Sequence, residues 1–473
     1  MAVRIAQTAA VLLSMGMGMA VTPSLSQQSL PRPMEQRAIG PTQNVLPGGA
    51  VDSHICAENR EVALERALLR HQALIQMLVR TKGLPENRRL ETDPSRFQQV
   101  VYHSLSARRE NGLLLYAVDA EYLCAFLWTG DGNAVYARSR NGAEYLTVPA
   151  KQLAMAVVDS AATRSATVRK RVERLRNVSD VFAAPVATGA VSVSDAAGSM
   201  SRLLFPEPLW TALAGIKHLS IIPIGAISSM PLAILHPLGT SERVIDRFSI
   251  NILLFASEVG RPVEIWQPNL KNALVMGNPT GSDVFWRETP IPAAEAEARY
   301  VAEKFAVIPL LGPEATTIAF IRRAATAELI YLAAHGVAGS GETDDPLRDS
   351  YLVMADNRMP GSTIRDFARS SERLAAKLVV LSACQTGIGR VTEGGVVGLA
   401  RTFLDAGAAN VVMTTWNVDD EATRELMSRF INNLDRNQPA DALRLAQQHV
   451  MQMFPDPVYW SAFNVYGNRF AEP

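Results

Sequence analysis

The chain has 473 residues, too many for one ordinary core and enough for two or three units of about 150 residues each. Lys plus Arg (46) equals Asp plus Glu (46), so no charge excess draws it to nucleic acid or to an anionic membrane surface. A hydrophobic content of 48% excludes global disorder.

The opening residues, MAVRIAQTAAVLLSMGMGMAVTPSLSQQ, hold one basic residue (Arg4), an apolar stretch to Val21 and small residues at Ser24 and Ser26. That is the layout of a secretory signal peptide over 1–26. Cleavage after Ala20 or after Ser26 would leave Gly18 or Ser24 at −3. An uncleaved membrane anchor is the alternative, although the apolar run is short for a span. Residues 27–50, rich in Pro, Gly and Gln, read as a flexible linker. The expectation is an exported chain, periplasmic or extracellular, with no stable membrane span once the signal is removed.

Residues 57–82 carry Val62, Leu64, Ala67, Leu68, Leu74 and Leu78 at helical spacing, an amphipathic helix. The stretch 112–139 reads as strands, with Asp131-Gly132 as a hairpin turn. A long helix is expected over 149–176. Its end carries Arg164, Arg169, Lys170, Arg171, Arg174 and Arg176, read as a solvated face because Glu173 interrupts the cluster and no aromatics interleave. The Ala-, Ser-, Val- and Gly-rich residues 178–200 read as a boundary or a long surface loop. This divides the chain into an N-terminal α+β region, 51–195, and a larger C-terminal domain, 196–473.

Beyond residue 200, short β-rich runs (217–222, 272–276, 305–310, 327–333, 377–382 and 409–415) alternate with helical segments such as AAEAEARYVAEKF and EATTIAFIRRAA. Strands apolar on both faces and separated by helices predict an α/β fold with a mostly parallel sheet covered on both sides. The apolar segment 219–238 is interrupted by Pro223, Pro231 and Pro237, so it reads as a buried strand, a turn and a short helix. No period of 20 to 50 residues recurs.

Three cysteines cannot all pair with one another. In an oxidising compartment Cys56 and Cys124 are candidates for a disulfide, and two separate buried thiols are the alternative. Cys384 stands alone in the second half, where the apolar run LVVLSAC gives way to QTGIGR. The strand in AELIYLAAHG ends at His335-Gly336, and that in ANVVMTTWNVDD ends near Asp419 and Asp420. In parallel sheets, ligands and catalytic groups gather beyond the carboxyl ends of strands.

A thiolate needs a proton carrier within reach, since a free thiol titrates near ~8.5. His335 can take that proton and return it to a leaving amine, while the amides of Gly336 and Cys384 are candidate oxyanion donors. The separation between His335 and Cys384 is close to the ~50 residues found in caspases. Ser382, two residues earlier, is expected to face the opposite side of its strand, and the attack is not assigned to it. Asp419 and Asp420 open a helix and can cap it, or one can line a pocket for a basic substrate side chain. Trp416 and Trp460 read as packing residues, and the carboxylates of 344–350 as a solvated loop. GIGRVTEGG begins like a dinucleotide loop, but Thr392 stands where the third glycine should be. Without phosphate-loop, HExxH, paired CxxC or G-x-S-x-G patterns, neither metal nor cofactor is expected.

The wording of several stretches resembles the CHAT peptidases, relatives of caspases and separases: LSIIPIGAISSMPLAIL, ALVMGNP, LLGPEAT, IYLAAHG, VVLSACQTGIGRVTEGGVVGLARTFLDAGAANVVMTTWNVDDEATRELM and PVYWSAFNVYG. The resemblance implies a caspase-like α/β sandwich over 196–473, with a catalytic histidine at His335 and a catalytic cysteine at Cys384. A cysteine endopeptidase acting on a protein or peptide substrate is the activity implied, with room for a protein activator. A preference for basic residues would rest on Asp419 and Asp420. A catalytically silent interaction module on the same fold is the alternative. Family members are often fused to tetratricopeptide repeats and act inside cells, whereas this chain shows no such repeats and carries an export-like start.

Overall fold

The computed structural model describes residues 54–82, 90–140, 153, 192–236, 240–261, 265–281, 291–337, 350–369, 373–383, 390–392, 395–415 and 419–468. The expected signal peptide and linker, all but Leu153 of the helix expected over 149–176, and residues 344–349 lie outside them. Among the described residues, no helix is long and apolar enough to cross a membrane.

Three strands come first: β1 (Asn111–Val118), β2 (Tyr122–Thr129) and β3 (Ala134–Arg140). They form an antiparallel meander in which Gly132, at φ +93°, turns the chain between β2 and β3. The helices Arg60–Lys82 and Pro94–Ser106 accompany it, and the side chain of Asp93 caps the second by accepting from the Arg96 amide. Cys56 and Cys124 form a disulfide with Cα atoms 5.5 Å apart, tying the chain ahead of the first helix to β2.

This meander does not stand apart. β1 pairs in parallel with β4 (His218–Ile222), and the sheet then runs through β5 (Ser249–Ile252) and β16 (Phe463–Gly467). It continues through β15 (Asn410–Thr414), β12 (Leu378–Ala383), β8 (Leu329–Ala334), β6 (Ala273–Gly277) and β7 (Leu310–Leu311). Within this eleven-stranded sheet β1, β4, β5 and β16 run one way and β15, β12, β8, β6 and β7 the other, with the reversal at the antiparallel β15–β16 pair. Every residue of β8 and β15 is buried, as expected for strands covered on both faces. The helix Pro292–Lys304 packs on β6 and β8, Leu399–Ala406 on β15, and Pro439–Met453 on β5 and β16.

Two expectations differ from the structure. The boundary or loop expected over 178–200 overlaps a helix, Val193–Leu204, capped by Ser192 and burying Ala196, Ala197, Met200 and Leu204. Its small residues permit close packing, which composition alone does not distinguish from loop character. The run 305–310 is turn and loop up to Leu310, the first residue of β7: Ala306 takes φ +52° and Ile308 is 86% exposed. The Pro-interrupted stretch from 219 to 236 is, as expected, a buried strand, β4, followed by short helical segments, both of 3₁₀ type, Gly225–Ser229 and Leu232–Ile234.

Candidate active site

β8, β12 and β15 are adjacent and parallel, so their carboxyl ends meet one rim of the sheet. The pairing of β8 with β12 runs from Leu329–Leu378 to Ala334–Ala383 without a break. His335 follows Ala334 directly. Cys384 follows Ala383 and lies outside the described residues, as does Trp416.

At His335 the chain leaves the large sheet. Gly336–Val337 forms β9, which pairs with β10 (Tyr351–Val353), itself paired with β11 (Arg358–Pro360). The Val353 amide donates to the His335 carbonyl at 2.9 Å, fixing the main chain at the junction of the two sheets. That bond makes Gly336 and Leu352 a non-hydrogen-bonded pair of the antiparallel ladder, so the Gly336 amide points away from β10. The β10–β11 turn is anchored in its turn: Asp356 accepts from the Thr317 amide at 2.7 Å and Ala355 donates to the Ala315 carbonyl at 2.9 Å. The His335 ring is partly exposed.

Behind the rim lies a set of polar side chains that sequence reasoning missed. The Tyr331 hydroxyl donates to Glu297 Oε1 at 2.7 Å. Burial, reinforced by the Glu297 carboxylate, drives the Tyr331 phenol well above its ordinary titration range, so it stays protonated and donates. Ser382 shares a face of β12 with Val380, since side chains two residues apart in a strand point the same way. Ser382 pairs with Ala333 and Val380 with Tyr331, on the face that meets helix Pro292–Lys304. The signal for Glu297 was a carboxylate in step with Ala294, Ala298 and Val301, the buried stripe of that helix. Asn278, just past β6, holds the helix start: its Oδ1 accepts from the Ile291 amide at 2.7 Å and its Nδ2 donates to Glu295 at 3.2 Å.

Asp419 is the N-cap of helix Asp420–Asn433, with Oδ1 accepting from the amides of Glu421 (3.0 Å) and Ala422 (3.3 Å). Asp420 is the first helical residue. Trp460 is fully buried. A cavity of about 270 Å³ lined by Glu258, Arg261, Lys377, Gly407 and Gly467 opens at the start of β12 and the end of β16, the rim opposite His335.

A CHAT domain model matches residues 194–468, more than half of the chain. The chain belongs to the CHAT family. Over 307 residues it is 26% identical to tetratricopeptide repeat protein 28 of Mus musculus, an alignment covering 53% of this chain and 12% of the mouse protein. The Homo sapiens protein of the same name is 25% identical over 295 residues, with the same coverages. This CHAT chain therefore spans about an eighth of the length of those relatives. The Saccharomyces cerevisiae separase–securin complex matches the fold with a TM-score of 0.51 at 9% identity, covering 86% of this chain and 33% of the yeast chain. The CHAT domain here is thus a caspase-like α/β sandwich built on a mostly parallel sheet, with the small antiparallel region at its N-terminal side.

Proposed function

We propose that this CHAT protein is a cysteine endopeptidase acting through His335 and Cys384. One observation carries the reading: Ala334 and Ala383 are partners on adjacent parallel strands, and the next residues in the chain are His335 and Cys384. With strands ~4.8 Å apart and ~3.8 Å between successive Cα atoms, covalent geometry bounds the His335–Cys384 Cα separation at about 12 Å. Strands that simply ran on would bring it near 5 Å.

The reaction then follows from the groups at hand. His335 takes the thiol proton, and the Cys384 sulfur bonds to the substrate carbonyl carbon. The oxyanion so formed is held by the Gly336 and Cys384 amides. Collapse breaks the C–N bond as the imidazolium gives its proton to the leaving amine. Water, deprotonated by His335, then attacks the thioester and releases the acid and the thiol. Gly336 has no side chain to obstruct the carbonyl, and its amide is not engaged by β10. A preference for basic residues rests on Asp420, since the Asp419 carboxylate caps its helix. Export is part of the same proposal, supported by the signal-like start and by a disulfide of the kind that persists in oxidising compartments.

The test is N-terminal sequencing of fragments formed by the wild-type chain, from itself and from a peptide library, beside Cys384→Ala. New termini are expected with the wild type alone. Equal cleavage by both proteins would refute the assignment.

A further inference from the structure

We propose that β3, an outermost strand of the eleven-stranded sheet, is a dimer edge that pairs antiparallel with β3 of a second copy of this chain about a two-fold axis at Ala137. The inference does not depend on the peptidase reading, and it concerns the end of the sheet away from β8 and β12.

Hydrogen bonds along an antiparallel ladder alternate, so every second residue of an edge strand turns both its backbone groups outward. Two bonds settle which residues these are. The Asp119 amide donates to the Tyr122 carbonyl at 2.9 Å, and the Thr129 amide to the Asn133 carbonyl at 3.0 Å. With the registers of β1 on β2 and of β2 on β3, they make Leu127–Val135, Ala125–Ala137 and Leu123–Ser139 the hydrogen-bonded pairs. Ala134, Tyr136, Arg138 and Arg140 therefore direct their N–H and C=O groups away from the sheet. β3 ends the strand order, and no group among the described residues bonds to these outward amides and carbonyls. A row of unpaired backbone groups is a template for another strand.

Proline and bulges, two common guards of a sheet edge, are both missing from β3, whose seven residues pair with β2 without a break. The strand is also held in place from both sides. The Tyr136 hydroxyl donates to the Ala57 carbonyl on one face, and Ser139 Oγ donates to the Leu203 carbonyl at 3.2 Å on the other. A strand ordered before it binds loses little further freedom on pairing.

Arginines guard an edge too, so a copy of this strand fits only where like charges stay apart. With the axis at Ala137, Tyr136 pairs with Arg138 of the second copy and Ala134 with Arg140, while Ala137 faces Ala137 as a non-hydrogen-bonded pair. No arginine meets an arginine, and each Arg138 lies opposite an aromatic residue, a favourable cross-strand match. Every outward residue finds a partner, giving about eight main-chain hydrogen bonds. Sliding the strands by two residues one way sets Arg138 against Arg138. Sliding them the other way carries Arg140 past the strand to Gly132 in the hairpin turn. Because the axis uses the free β3 edge of both copies, assembly stops at two.

The experiment uses the full-length, oxidised chain carrying Cys384→Ala, so that no free thiol remains beside the Cys56–Cys124 disulfide. Sedimentation velocity from nanomolar to high micromolar concentration should show a reversible monomer–dimer equilibrium and no larger species. Arg138→Pro removes an outward amide and leaves the bonds to β2 in place. It should raise the dimer dissociation constant by about a hundredfold, since each copy loses a bond. Arg138→Ala keeps the amide and should stay within about tenfold of the parent.

Ala137→Cys brings two thiols together on the axis, with Cα atoms about 4.5 Å apart, and should give a disulfide-linked dimer on mild oxidation. Val135→Cys, which faces Ser139 of the second copy, should not. Thermal unfolding scans serve as the folding control for each variant. A chain that is monomeric at every concentration overturns the proposal and leaves the edge to a strand of other sequence. A dimer that Ala137→Cys fails to crosslink, or an assembly larger than two, overturns it as well. Should Arg138→Pro fail to fold, the contrast between Ala137→Cys and Val135→Cys carries the decision.

Discussion

His71 makes stability below neutral pH a sharp test of the N-terminal packing. It sits on helix Arg60–Lys82, 4% exposed, with Nε2 3.4 Å from the Tyr116 carbonyl of β1. Burial lowers its pKa from 6.5 to about 4, the carbonyl contact only partly opposing this. The folded protein thus keeps the ring neutral at pH values where the unfolded chain binds a proton. Stability arising from this group is intact above pH 6.5, falls as pH drops, and stops falling below about pH 4, where both states are protonated. A shift of that size corresponds to about 3 kcal/mol, to order of magnitude. Urea unfolding followed by tryptophan fluorescence, repeated in steps from pH 7.5 to 4, reads the loss. His71→Gln, which can still donate to the carbonyl but does not titrate, should lose stability less steeply by that amount over the same window. Parallel pH profiles for the two proteins would refute the reasoning.

Three further outcomes follow from other parts of the fold. Reducing the Cys56–Cys124 disulfide, which spans 68 residues, should lower unfolding free energy by about 4 kcal/mol; an unchanged urea midpoint with and without dithiothreitol would contradict this. Gly277→Ala should cost about 1–3 kcal/mol, because the added methyl would collide with the Ala298 side chain and lie 3.0 Å from the Ala294 carbonyl oxygen; calorimetry showing no loss would mean that the helix can lift without penalty. Asp419→Ala should cost about 1 kcal/mol through the lost cap while leaving any preference among cleaved residues unchanged, and a changed preference in a peptide library would return Asp419 to the substrate pocket.

How much of this was legible in sequence depended on how strongly an element declares itself alone. β8, β12 and β15 are apolar on both faces, bounded by glycine or polar residues, and were placed to within two residues at either end. β5 and β16 escaped notice because four or five residues do not establish a period, although every residue of β16 is buried. The run 305–310 has a strand's composition but no partner along most of its length, and isolated apolar residues such as Ile308 carry no such information. At the candidate site, His335 and Cys384 stand out in sequence by residue type, by position at strand ends and by the wording of their motifs. Tyr331 and Glu297 do not, because their importance lies in meeting each other across a helix–sheet interface 34 positions apart in sequence.

The reversal at β15–β16 decides which polar clusters belong to the chemistry. Because Thr414 pairs with Phe463, the rim carrying the ends of β8, β12 and β15 also carries the starts of β16 and β5. The carboxyl-end rule for parallel sheets therefore applies to one half of this rim. On the other half, Ser249 Oγ lies 2.6 Å from Asp441 Oδ1, and His218 Nδ1 lies 2.8 Å from that hydroxyl and 3.0 Å from that carboxylate. The residue types are those of a serine hydrolase, but the atoms are wrong: a triad uses opposite ring nitrogens for serine and aspartate, and here both meet Nδ1. The cluster instead ties the starts of β4 and β5 to helix Pro439–Met453. Ser249→Ala should accordingly leave Cys384-dependent cleavage at the wild-type rate and cost about 1 kcal/mol of stability. Loss of cleavage in a protein that remains folded would show that this half of the rim takes part after all.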